Sequence, residues 1–125
     1  MDLSLYFTEH HYQVRDLVRE FAQGQVAAVA RELDRTSSFP WENVKTMGEL
    51  GLLGVPWSEE LGGAGMDQIS YYITIHELAK VDASHGLTVS AHTNVRSARP
   101  RTLETIRRVG SFEGVCTDGM VRTAE

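Results

Sequence analysis

Cysteine is nearly missing from this 125-residue chain: Cys116 stands alone, so no internal disulfide can form, and a reducing, cytoplasmic setting is the default expectation. No apolar run is long enough to cross a bilayer, and residues 1–5 carry Asp2 without a basic stretch, so they do not read as a secretory leader. Lysine is scarce, with Lys45 and Lys80 alone. Residues 1–95 hold six basic against thirteen acidic side chains, a net −7 that argues against a nucleic-acid surface, because phosphates need clustered Lys and Arg. Nor does any segment alternate with period two or reach the β-branched density of a confident strand. What remains is 42% hydrophobic and 23% charged, the make-up of one ordinary globular domain with a real core.

The apolar spacing predicts helices throughout, and the fold class is all-α. Thr8 is a plausible N-cap for a helix whose Val14, Leu17, Val18 and Phe21 share a face, with Arg15, Asp16, Arg19 and Glu20 on a solvated one. Gly24 weakens that helix, but Val26, Val29, Ala30 and Leu33 resume the pattern, giving either one bent helix or two in succession. Thr36-Ser37-Ser38 reads as a turn. Pro40 suits the first turn of a short helix presenting Val44, Met47 and Leu50, after which Gly51 and Gly54 turn the chain away. A polar, glycine-rich loop leads to Asp67, an N-cap for a helix over residues 68–81 with Ile69, Tyr72, Ile73 and Leu78 as its stripe. Asp82-Ala83-Ser84 either ends that helix or caps the next, along which Leu87, Val89, Ala91 and Val95 lie. From Arg96 onward the pattern fades: six Arg, no Lys and four acids leave +2, and residues 96–125 are expected to be disordered or weakly helical.

Candidate chemistry is sparse. His10 and His11 are neighbours and point to different faces, and His76, His85 and His92 lack the four-residue spacing of paired helical ligands, so no metal site is expected. His76 is expected in the core or an interface. Glu59 and Glu60 are adjacent on a loop and read as solvated rather than as an acid–base pair. Gly62, Gly63 and Gly65 follow no strand and lack nucleotide-loop spacing, so they read as a turn. Cys116 has no activating partner in view.

The ordered runs carry more than periodicity. Phe39-Pro40-Trp41-Glu42, then Met47-Gly48-Glu49-Leu50-Gly51-Leu52-Leu53-Gly54-Val55-Pro56, then Glu59-Glu60-Leu61-Gly62-Gly63-Ala64-Gly65-Met66, then Ile75-His76-Glu77-Leu78-Ala79-Lys80-Val81-Asp82-Ala83-Ser84 and Ser90-Ala91-His92-Thr93, together resemble the amino-terminal helical domain of the acyl-CoA dehydrogenases. Arg15-Asp16-Leu17-Val18-Arg19-Glu20-Phe21-Ala22 resembles that family's first helix. Leu61, where the family usually has Tyr, and Ala28, where Pro is common, depart from the pattern. The expected division is residues 5–95 as this domain and 96–125 as a non-homologous tail.

The resemblance implies FAD-dependent α,β-dehydrogenation of acyl-CoA thioesters in fatty-acid or amino-acid catabolism, by a three-part subunit that is usually tetrameric. In that family the catalytic glutamate and most flavin contacts belong to a middle β-domain and a carboxy-terminal helical domain, so no catalytic or cofactor residue is carried over to this chain. What carries over is one wall of the acyl pocket, with Val89 and His92 as candidates by position. The chain is therefore expected to be a truncated, inactive fragment with exposed apolar faces and a tendency to self-associate. Alternatives are a stand-alone interaction module, a complementing subunit fragment or a small acyl-CoA binder. Arg96-Ser97-Ala98-Arg99-Pro100-Arg101 is what a family-like Ser-Leu-Gly-Ser-Ala-Pro, in GC-rich codons, reads one nucleotide later, so the tail is expected to have left the ancestral frame.

Overall fold

The computed structural model describes residues 5–96, and every regular element among them is helical. Helix α1 (Glu9–Phe21) runs through a π-helical turn (Ala22–Val26) into α2 (Ala27–Thr36). The two open possibilities for Gly24 thus resolve into a continuous helical path with one widened turn at the glycine. Ser37, at φ 53, ends α2 in the left-handed conformation, and Ser38 N–H returns to the Leu33 carbonyl at 3.2 Å. Helix α3 (Trp41–Glu49) starts one residue later than expected: Pro40 is its N-cap, and its carbonyl accepts the first helical bond from Val44 N–H at 2.9 Å. Two 3₁₀ turns (Leu52–Gly54 and Glu59–Leu61) carry the chain to α4 (Gln68–Val81), α5 (Ala83–Ala91) and a π turn (His92–Arg96).

Helix α4 is the centre of the bundle, with α1 and the first π turn on one side and α5 on the other. Being covered from two directions, it does not bury a single apolar stripe. Ser70, Tyr71, Ile73, Thr74, Glu77 and Leu78 face inward, whereas Ile69 and Tyr72, expected in the core, are 38% and 64% exposed. Thr74 and Ser70 are small enough to let the neighbours close in, and the Thr74 hydroxyl donates to the Ser70 carbonyl at 2.9 Å. On the other side a Cβ at Gly86 would stand 3.0 Å from Ala79 Cβ and 3.1 Å from the Ile75 carbonyl oxygen, so α5 lies nearly backbone to backbone against α4. Asp82 both closes α4 and caps α5, accepting Ser84 N–H at 3.2 Å.

The core gathers Val14, Val18, Phe21, Ala22 and Val26 with Val44, Met47, Leu52, Leu53, Val55, Tyr71, Ile73, Leu78 and Val89. Leu50, expected beside Val44 and Met47, is the C-cap of α3 and points outward because the backbone has begun its turn into Gly51. No residue of α2 is buried, and Val29 lies on its surface, so that helix stands away from the core it was expected to join. The expectations for residues 97–125, including Cys116 and the shifted frame, lie outside the described residues.

Candidate functional site

Three polar connections, each with at least one buried partner, fix the helices relative to one another. Glu77, on the inner side of α4, takes two hydrogen bonds from the Arg19 guanidinium at 3.0 and 3.1 Å and two longer ones from Lys80 Nζ at 3.4 and 3.5 Å. The Arg19 hydrogen bonds outweigh the cost of burial and hold the carboxyl below its ordinary range, while Arg19 itself is raised. A carboxylate so tightly committed is a structural anion rather than a base awaiting substrate. Arg19 was expected on a solvated face; the ion pair with α4 draws it inward instead.

The second connection joins α5 to α3. His85 is fully buried, its Nδ1 2.5 Å from Asp82 Oδ2 and its Nε2 3.1 Å from Asn43 Nδ2. The carboxylate can only accept, so Nδ1 of His85 carries the proton it donates to Asp82. Burial works against the Asp82 charge, but the Ser84 hydroxyl and His85 overcome it and lower its pKa. The third connection is His11, whose Nε2 lies 2.7 Å from Asp67 Oδ2 while Ser70 N–H reaches Asp67 Oδ1 at 2.8 Å. Burial of Asp67 is again outweighed, here by the Ser70 and His11 hydrogen bonds, and its pKa falls to about 2.

The sequence candidates are placed as follows. Val89 is a fully buried core residue. His92, just past α5, is also buried and donates from Nδ1 to the Leu53 carbonyl at 2.8 Å, where the Thr93 hydroxyl joins it at 3.3 Å. Both therefore tie the end of α5 to the turn after α3. His76, expected in the core or an interface, is not in the core: it is exposed with Tyr72 on the outer side of α4, its ring 3.6 Å from Glu77. Glu59 and Glu60 are solvated, and Gly62 and Gly65 adopt positive φ as turn residues. Gly63 fits against Trp57 so closely that a Cβ would lie 2.2 Å from its carbonyl oxygen.

Two apolar grooves are open on the surface. One, of about 480 Å³, runs between α1 and α4 past Phe7, Arg15, Ile69, Tyr72, Ile73 and His76. The other, of about 210 Å³, lies among Gln13, Val14, Leu17, Leu50, Val55 and Met66. Around them Leu17, Leu50, Ile69 and Tyr72 expose between 38% and 64% of their surface, and Leu87 on α5 exposes 67%. Among the described residues no three His, Cys, Asp or Glu side chains gather as a metal set, and no helix is long and apolar enough to cross a membrane.

The described residues thus form a helical body with ionic and imidazole ties inside and apolar side chains outside. Residues 8–111 match the acyl-CoA dehydrogenase N-terminal domain family. The "Acyl-CoA dehydrogenase, short-chain specific" of Clostridium acetobutylicum is 48% identical over 95 residues, covering 76% of this chain and 24% of that protein. The mitochondrial short-chain specific acyl-CoA dehydrogenase of Mus musculus is 39% identical over 92 residues, covering 74% of this chain and 22% of that protein. Among solved structures, a chain from "Electron transferring flavoprotein of Acidaminococcus fermentans: Towards a mechanism of flavin-based electron bifurcation" superposes with a TM-score of 0.78 at 31% identity, over 91% of this chain and 31% of that one. The chain belongs to the acyl-CoA dehydrogenase family and is its N-terminal domain; it spans about a quarter of the length of the curated relatives it matches.

Proposed function

We propose that residues 5–95 act as the amino-terminal helical domain of an FAD-dependent acyl-CoA dehydrogenase, giving one wall of the acyl pocket, and that the 125-residue chain does not dehydrogenate thioesters alone. The observation that carries this is the distribution of apolar surface. The core is closed by polar ties, yet Leu17, Leu50, Ile69, Tyr72 and Leu87 face outward and α2 has no fully buried residue, which suits a surface meant to meet further protein. Val89 and His92 remain the pocket-side candidates, acting through the fixed end of α5.

The described residues do not by themselves fit a flavin dinucleotide. The glycine loop is filled by its own chain, with Gly63 against Trp57, Gly65 N–H on the Trp57 carbonyl at 2.7 Å and Gly63 N–H on Ser58 at 3.0 Å, so its donors are spent. The grooves are lined mostly by carbon. Turnover needs base, flavin and thioester positioned together, and that joint positioning supplies many orders of magnitude of the rate, which a single wall does not provide.

Mixing the chain with the remaining part of a short-chain relative tests the proposal. A yellow complex that reduces an artificial electron acceptor, with neither part active alone, is the expected result. Turnover by the chain alone overturns it. The same apolar faces favour a second reading, a partner-binding module, which a stable colourless complex would support instead.

A further inference from the structure

His11 closes the first turn of α1 in a way that depends on its charge. Its Nδ1 accepts the backbone N–H of Thr8 at 2.9 Å, filling the place that Glu or Gln ordinarily takes in a capping box. A ring nitrogen that accepts carries no proton, so the hydrogen bonds assign the ring proton to Nε2, which donates to Asp67. One imidazole, 3% exposed, thus joins the N-cap of α1 to the N-cap of α4. Phe7 stands edge-on to that ring with centroids 5.7 Å apart, and the same Phe7 lines the 480 Å³ groove.

We propose that residues 5–8 are a pH-sensitive strap: neutral His11 holds them against α1, and protonation at Nδ1 sets two donors face to face, freeing the strap and opening the groove where Phe7 lines it. The charged group facing the ring from α4 is Asp67. On its own helix His10 lies 6.3 Å away, ring to ring, and Glu9 and Arg15 are the nearest charged side chains in sequence. The Asp67 side chain is 53% exposed, so it stays in contact with water while it accepts from Nε2. With Nδ1 protonated, the acceptor nearest to it is the Thr8 hydroxyl at 3.3 Å, and turning toward that oxygen gives up the Thr8 N–H. The Nε2 bond to Asp67 survives in both states, so α4 stays in place and the change is confined to the strap.

The test is a magnetic-resonance titration of the full chain from about pH 8 to about pH 5, the range in which histidine charges. The readouts are His11 ring shifts, Thr8 amide protection and Phe7 ring signals. Protection of the Thr8 amide, corrected for intrinsic exchange, is expected to fall about tenfold in step with the His11 titration, the size of one lost hydrogen bond, while the Ser70 amide is unchanged. His11→Gln, which accepts at any pH, and Thr8→Pro, which removes the donor, are both expected to abolish the Phe7 step. Constant Thr8 protection while the ring titrates overturns the proposal, as does an equal Phe7 step in either variant.

Discussion

Placing a methyl group on Gly63 asks the glycine loop for space it does not have. The added Cβ would stand 2.2 Å from the Trp57 carbonyl oxygen, 2.5 Å from its carbonyl carbon and 2.5 Å from its Cβ, whereas unbonded carbon atoms settle at about 3.5–4.0 Å. Two of the three obstacles are backbone, so no side-chain rotation relieves them. The loop must open by about 1 Å or more, which sacrifices Gly65 N–H on Trp57 at 2.7 Å and Gly63 N–H on Ser58 at 3.0 Å. Two backbone hydrogen bonds at about 0.5–1.5 kcal/mol each, plus about 1–3 kcal/mol for overpacking, give an expected loss of about 2–5 kcal/mol for Gly63→Ala. Gly24→Ala is the matched control. Nothing lies within 4 Å of a Cβ there, the residue is in a helical turn, and the exchange should stabilise by about 0.5–1 kcal/mol. Urea denaturation of the two variants beside the parent chain reads both signs at once. A Gly63→Ala midpoint equal to the parent's would refute the reasoning, and so would destabilisation of equal size at both glycines.

Arg19→Met leaves the buried Glu77 carboxylate with the longer Lys80 hydrogen bonds in place of the Arg19 pair and is expected to lower the denaturation midpoint. The parent chain keeps the benefit of ionised Glu77 above the ordinary glutamate range and loses it as pH falls through the lowered folded-state value, so a variant with the same acid profile as the parent would contradict the assignment. Asp67, held at about 2 in the fold against an ordinary value near 4, contributes stability that is complete above about pH 4 and is lost as pH falls toward 2; Asp67→Asn keeps an acceptor for Ser70 N–H and should flatten that acid limb. Met47→Ala, at a fully buried site, should cost about 2–5 kcal/mol. Leu87→Ala, at a site 67% exposed, should shift stability by no more than about 0.5 kcal/mol while reducing self-association measured by sedimentation.

The caps were the most legible part of the sequence. Asp67 before residues 68–81 and Asp82 before Ser84 each name a short side chain that can reach a free backbone N–H, and local chemistry settles the matter. The inward face of α4 was not legible, because a single apolar stripe describes a helix covered on one side. With α1 and α5 on opposite sides, small polar Ser70 and Thr74 go inside and Ile69 and Tyr72 remain outside. The Arg19–Glu77 pair joins residues 58 apart and looks in sequence like two solvated charges. The one signal that could have pointed to it is the placement of Glu77 one helical turn after Ile73, a charge on the face that Ile69 and Ile73 mark as apolar. The relay of Asp82, His85 and Asn43 was hidden likewise: the three-residue step from Asp82 to His85 is visible, but Asn43 arrives from α3.

The claim on which the rest depends is that this chain offers a wall and not a complete site. Its most direct test is the visible absorption of the purified 125-residue chain equilibrated with FAD, freed of unbound flavin, and then given a saturated acyl-CoA without oxygen. The account predicts a colourless protein whose spectrum the thioester leaves unchanged. A yellow protein that bleaches on adding the thioester would contradict it.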